Sequence, residues 1–159
     1  MPELTRKIVL IEDSETDSFV IKRVIRENPC AKSYKILSFD SMSQAREYLS
    51  LHAEEVDAIL LDLHLPDTVD AYDTYAQVRD FAPDTPIVAL TSCNNYGLAM
   101  DLVRDGVGDY VSKSHILKNP DLLCRAIDFA LCRHVQNRAV LGPLNEELEA
   151  RVQLLSQMV

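Results

Sequence analysis

Glycine is scarce in this 159-residue chain, with only Gly97, Gly106, Gly108 and Gly142 present where average usage is near ~7%. Neither G-x-G-x-x-G nor G-x-x-x-x-G-K-[ST] can be written from those positions, which excludes the glycine-rich loops that cradle nucleotide phosphates. Any phosphate chemistry here must rest on other groups. Cysteine is equally uninformative as a framework: Cys30, Cys93, Cys124 and Cys132 form no C-x-x-C pair and no zinc spacing. They read as reduced thiols of a cytoplasmic protein, and no reactive role is assigned to Cys93. No apolar run reaches the length of a membrane span, and residues 1–7 are too short and polar for a signal peptide. Basic residues are in deficit, 16 Lys and Arg against 25 Asp and Glu, for a net charge of −9. Such a balance repels phosphate backbones and anionic lipid, so direct nucleic-acid or membrane partners are not expected.

What the chain does have is a repeating rhythm over about one domain's length. Ile8–Ile11, Ala58–Leu61 and Ile87–Leu90 are short, continuous apolar runs, as expected of strands buried on both faces. Tyr34–Phe39 predicts a weaker strand at a sheet edge, and Asp109–Ser112 a short one after the Gly106/Gly108 turn. Amphipathic stretches alternate with them. Ser14 is placed to cap a helix whose inner face carries Phe19, Val20, Ile21, Val24 and Ile25. Ser41-x-x-Gln44 makes a capping box for a helix burying Ala45 and Leu49. Tyr72–Phe81, Tyr96–Arg104 and residues 121 to about 140 complete five helices, the last following Pro120. Strict alternation with short connections implies an α/β fold with a parallel sheet and helices on both faces.

The polar residues closing each strand then fall at one mouth, because ligands bind at the carboxyl ends of strands in such sheets. The first strand ends in Glu12-Asp13, the third at Asp62, the fourth at Thr91-Ser92 and the fifth at Lys113. Three carboxylates within roughly 5 Å repel by about 3 kcal/mol per pair at an effective dielectric near 20. Either one takes up a proton or a hard divalent cation relieves the repulsion, Mg²⁺ being the usual occupant of such an oxygen site.

The segments Ile8-Val9-Leu10-Ile11-Glu12-Asp13, Leu60-Leu61-Asp62-Leu63-His64-Leu65-Pro66-Asp67, Val88-Ala89-Leu90-Thr91-Ser92 and Gly108-Asp109-Tyr110-Val111-Ser112-Lys113 resemble the response-regulator receiver domain of bacterial two-component signalling. The resemblance covers about residues 5–138. It implies a flavodoxin-like, doubly wound five-stranded parallel sheet of order 2-1-3-4-5. It implies that Asp62 accepts a phosphoryl group from the phosphohistidine of a sensor histidine kinase or phosphotransfer protein. Glu12, Asp13, Asp62 and the backbone carbonyl of His64 would hold Mg²⁺, with Mn²⁺ as an alternative. Lys113 would pair with the carboxylate and then the phosphoryl oxygens, while Thr91 and Tyr110 act as switch residues. The resemblance implies a signalling domain with at most slow self-phosphorylation and autodephosphorylation, rather than an enzyme.

Two features depart from the family pattern. Ser114 follows Lys113 where receivers usually carry proline after a cis peptide bond; a non-proline cis bond costs about 3 kcal/mol, so the geometry there either differs or is strained. The stretch after Pro66, Asp67-Thr68-Val69-Asp70-Ala71, lacks the usual Asp-Gly pair, which predicts a differently shaped loop. His64 either acts on the water that hydrolyses an acyl phosphate or is a surface imidazole. His52, His115 and His134 read as surface residues.

The domain division expected is a receiver over 1–140 and a helical extension over 141–159. In the latter, Leu141, Leu148 and Leu155 recur every seven residues. It is either a helix packed on its own domain or a dimerising, signalling helix leading toward a downstream effector. Two alternatives to the phosphorylated switch stand beside it. One is a degenerate receiver acting as a constitutive interaction domain; the other is an aspartate-nucleophile phosphohydrolase, for which His64 occupies the place of the expected second acid.

Overall fold

β-branched and leucine side chains alternate across the two faces of β1 (Arg6–Ile11), and both faces are buried. Val9 and Ile11 join one hydrophobic cluster while Ile8 and Leu10 join the other, because successive strand side chains point to opposite faces. The computed structural model describes residues 5–28, 34–92, 96–107 and 109–134. Within it, β1, β2 (Tyr34–Phe39), β3 (Ala58–Asp62), β4 (Ile87–Thr91) and β5 (Asp109–Ser112) form one parallel sheet of order β2-β1-β3-β4-β5. Both the doubly wound class and the edge position of β2 are as expected. In register, Leu10 lies beside Leu60, Leu61 beside Ala89 and Thr91 beside Ser112.

Helices α2 (Met42–His52), α3 (Ala71–Phe81) and α4 (Tyr96–Arg104) cover one face. The other carries α1 (Glu15–Glu27), the short α5 (Lys113–Ile116) and a longer α6, residues 121–134. The sequence pattern predicts five helices with none at Lys113–Ile116, and α5 makes the last described α-helix the sixth. All peptide bonds of the described residues are trans, Lys113–Ser114 included, and the Ser112 and Ser114 hydroxyls lie 2.9 Å apart across the start of α5. Residues 135–159, and with them the 141–159 extension, lie outside the described residues, as do Cys30, Cys93, Gly108 and Gly142.

Local chemistry accounts for the helix starts. The Ser14 hydroxyl accepts from the Asp17 N–H at 3.2 Å, and Ser41 accepts from the Gln44 N–H at 3.2 Å. Gln44 reaches back to the Asp40 N–H at 3.4 Å rather than to that of Ser41. On α1 only Ile21, Val24 and Ile25 are buried, and Phe19 is 64% exposed. That corrects its assignment to the inner face: at 100° per residue Phe19 stands about 200° from Ile21. The turn before β5 needs glycine at position 106, where φ is +104° and an added Cβ would lie 3.1 Å from the Arg79 guanidinium.

The loop between β3 and α3 takes its shape from side chains instead of an Asp-Gly turn. Asp67 accepts from the Met42 and Ser43 N–H groups at 3.0 Å each, tying the loop to the first turn of α2. Asp70 caps α3 through the Asp73 N–H at 2.8 Å. Buried Thr74 donates to the Leu63 carbonyl at 3.1 Å and meets the Thr68 hydroxyl at 2.6 Å. These bonds hold the segment that follows Asp62.

Candidate functional site: an acidic pocket at the strand ends

Two of the sheet ladders, β1 with β2 and β3 with β4, run one residue past β1 and β3 and so fix the backbone at the mouth of the sheet. The Glu12 N–H bonds to the Phe39 carbonyl at 3.0 Å, and the Leu63 N–H to the Leu90 carbonyl at 3.1 Å. Glu12 and Asp62 are thereby held in the crevice, each 3% exposed, while Asp13 faces solvent. Carboxylate oxygens of Glu12, Asp13 and Asp62 all lie within 4.8 Å of one another. The convergence expected of these three residues is present.

Backbone donors orient the two buried carboxylates. Glu12 Oε1 accepts from the Ser14 N–H at 3.1 Å, and Asp62 Oδ1 accepts from the His64 N–H at 3.0 Å. The Lys113 ammonium enters from the end of β5 and lies 2.6 Å from Glu12 Oε2 and 3.3 Å from Asp62 Oδ2. The Glu12 contact is a charge contact outside ideal hydrogen-bond alignment, and among the described residues that ammonium is the one donor beside buried Oε2. A third anion was not foreseen in the sequence: Asp17 Oδ2 accepts a hydrogen bond from Lys113 at 3.0 Å. Its sequence signal was weak: position 17 lies in the first turn of the helix that Ser14 caps, just past Glu12-Asp13.

Burial dominates the titration of this pocket. It pushes the Glu12 carboxyl up to about 7, against the pull of Lys113 and with help from the Asp62 charge. It also pushes the Asp62 carboxyl up, more than its bonds to neighbours and the Lys113 charge hold it down. For Lys113, burial works against the ammonium, but Glu12, Asp62 and Asp17 outweigh it and the pKa rises. The lysine is therefore a fixed cation, whereas the carboxylates carry more negative charge than one ammonium balances.

Thr91 is wholly buried at the end of β4, beside Ser112 in the sheet. Tyr110 is half-buried on β5 and packs against the cluster beneath α2, α3 and α4. His64 is exposed and lines a 210 Å³ hollow with Asp13, Pro66 and Asp70.

The donor set fits a hard divalent cation. It supplies only oxygens, it holds excess negative charge, and the buried Glu12 Oε2 lacks an aligned donor. Oxygen ligands of this kind suit hard divalent cations.

Comparisons with known proteins agree with the geometry. A family model described as the response regulator receiver domain matches residues 8–127. Among curated proteins, the two-component response regulator ORR1 of Oryza sativa subsp. japonica is 24% identical over 113 residues, covering 67% of this chain and 48% of that protein. The transcriptional regulatory protein CitT of Halalkalibacterium halodurans is 24% identical over 152 residues, covering 96% of this chain and 62% of CitT. The chain thus spans about half to three fifths of these two relatives. A response regulator receiver domain protein from Clostridium thermocellum shares the fold, with a TM-score of 0.68 at 20% identity over 80% of this chain and 95% of its own. The N-terminal domain of a response regulator/sensory box/GGDEF 3-domain protein from Carboxydothermus hydrogenoformans does likewise, with a TM-score of 0.67 at 22% identity over 83% and 98%.

Proposed function

The chain belongs to the response-regulator receiver family, and on that premise we propose that Asp62 accepts a phosphoryl group in a reaction dependent on Mg²⁺. The supporting observation is the Lys113 ammonium lodged between buried Glu12 and Asp62, beside a cluster of three carboxylates. Glu12, Asp13, Asp62 and the His64 carbonyl would hold the cation, which when bound supplies positive charge to the phosphoryl oxygens.

An Asp62 carboxylate oxygen attacks phosphorus, forming an acyl phosphate O–P bond. The N–P bond of the donor phosphohistidine breaks, and its electron pair returns to the imidazole nitrogen, which takes up a proton. Asp62 Oδ2 is suited to the attack because Oδ1 is occupied by the His64 N–H. Lys113 screens the approach of an anionic donor and then pairs with the product. Thr91 turns its hydroxyl to the new phosphoryl group, and Tyr110 follows it inward, altering the surface on which a downstream effector reads the state.

The donor is a sensor histidine kinase or a phosphotransfer protein, by kinship with the family. We carry the division into a receiver over 1–140 and a dimerising or linking segment over 141–159 as part of the same proposal. Among the described residues no helix is long and apolar enough to cross a membrane.

Incubation with Mg²⁺ and acetyl phosphate, read by intact mass, is expected to add one phosphoryl group to the wild type and none to Asp62→Asn. Equal labelling of the two proteins would sink the assignment of the acceptor. Absence of labelling, together with no response to millimolar Mg²⁺, would favour a constitutive interaction domain.

A further inference from the structure

The Lys113 ammonium carries three N–H donors, and three carboxylates surround it. Glu12 Oε2 is nearest at 2.6 Å, Asp17 Oδ2 follows at 3.0 Å and Asp62 Oδ2 is farthest at 3.3 Å. Among the described residues, the aligned hydrogen bond of this ammonium goes to Asp17, whereas the Glu12 oxygen has no aligned donor. Asp17 belongs to the first turn of α1, and its backbone is pinned there by the Ser14 cap. Its side chain is 43% exposed while that of Lys113 is 14% exposed. The lysine is therefore shared between Glu12, its nearest partner, and an anion on the first turn of α1.

We propose that Asp17 is a positioning residue that holds the Lys113 ammonium on the α1 side of the pocket and so restrains phosphorylation of Asp62. The proposal deepens the receiver reading and rests on it. In the unphosphorylated protein, Asp17 neutralises part of the charge that would screen an incoming anionic donor. When a phosphoryl group forms on Asp62, its oxygens compete for the same ammonium, and Lys113 gives up Asp17 for them. Asp17 thus sets how readily the switch is thrown, without touching the reacting atoms.

The test compares wild type, Asp17→Asn and Asp17→Glu for the rate of phosphorylation by acetyl phosphate at saturating Mg²⁺. Removing the charge is expected to speed phosphorylation about threefold or more, the scale a partly exposed ion pair supports. Asp17→Glu retains the charge and is expected to stay near wild type. The gain is expected to shrink between about 0.1 M and about 1 M salt, as the screening length falls from ~10 Å to ~3 Å. A role confined to helix stability would move the melting temperature and leave the rate and its salt dependence alone. If Asp17→Asn is labelled no faster than a wild type that is itself labelled, the positioning role is overturned and the receiver reading survives. If the wild type takes up no phosphoryl group, both fall.

Discussion

Replacing Asp62, the proposed acceptor, by Asn is expected to stabilise the metal-free protein, although it removes an ion-pair partner from the pocket. Three terms decide the sign. Lys113 at 3.3 Å attracts the Asp62 carboxylate by about 5 kcal/mol at an effective dielectric of 20. Glu12, with an oxygen within 4.8 Å, repels it by about 3.5 kcal/mol, and the better-solvated Asp13 adds about 1–2 kcal/mol. Attraction and repulsion nearly cancel. What remains is the cost of holding a charge that is only 3% exposed, and the upward-shifted pKa of Asp62 expresses that cost. Asparagine is close in shape and keeps an oxygen for the His64 N–H, so its neutral amide relieves the penalty while preserving the 3.0 Å bond. We expect a gain of about 1–2 kcal/mol, or about 3–6 °C in melting temperature for a chain of this size. The assay is thermal or denaturant unfolding at about pH 8 with a chelator present. Adding Mg²⁺ is expected to stabilise wild type more than the variant, since binding at a hundred times Kd contributes about 2.7 kcal/mol to the form that retains its ligand. A variant melting at or below wild type in chelator would refute this balance of charges.

The same pocket makes stability depend on pH. A carboxyl whose pKa rises on folding binds protons more tightly in the native state, so its contribution is fully present below its unfolded pKa and is lost as pH rises through the folded one. For Glu12 that window runs from about 4.5 to about 7. Denaturant midpoints in chelator are therefore expected to fall across it, and Mg²⁺ to flatten the trend; a rising midpoint would contradict the assignment. Glu55, held below its usual range by Lys7 and His52, acts only at more acid pH and in the opposite sense. Gly106→Ala is expected to cost about 1–2 kcal/mol by urea unfolding, because φ is +104° and Arg79 occupies the space; an unchanged midpoint would show that the turn relaxes freely. Asp67→Ala removes two bonds to the first turn of α2 and is expected to cost about 1–2 kcal/mol in the same assay. No loss would mean that the turn is satisfied by water.

The architecture was legible because its signals are local. Three short apolar runs and two weaker strand segments, separated by amphipathic stretches, leave few alternatives to a parallel sheet with helices on both faces. Ser14 and Ser41 cap as their spacing predicts, since a cap bonds only three residues ahead. Phe19 was misplaced for a comparable reason. An apolar residue counts toward a helix face by angle, and Phe19 points away from Ile21 despite adjoining Val20.

The acidic site divides in the same way. Glu12, Asp13, Asp62 and Lys113 each end or follow a strand, so their positions alone determine that they meet once the strands lie parallel. Which oxygen faces which donor was decided only in three dimensions. Asp17 is 96 residues from Lys113, and Asp67 is 25 residues from the Met42 N–H it accepts; no local pattern encodes a bond between such positions. The scarcity of glycine follows this division to its end. It excluded phosphate-cradling loops from sequence alone, but only the folded chain shows the excess of buried negative charge around one shared ammonium. That excess exists because folding drives separate carboxylates out of water and into reach of one another.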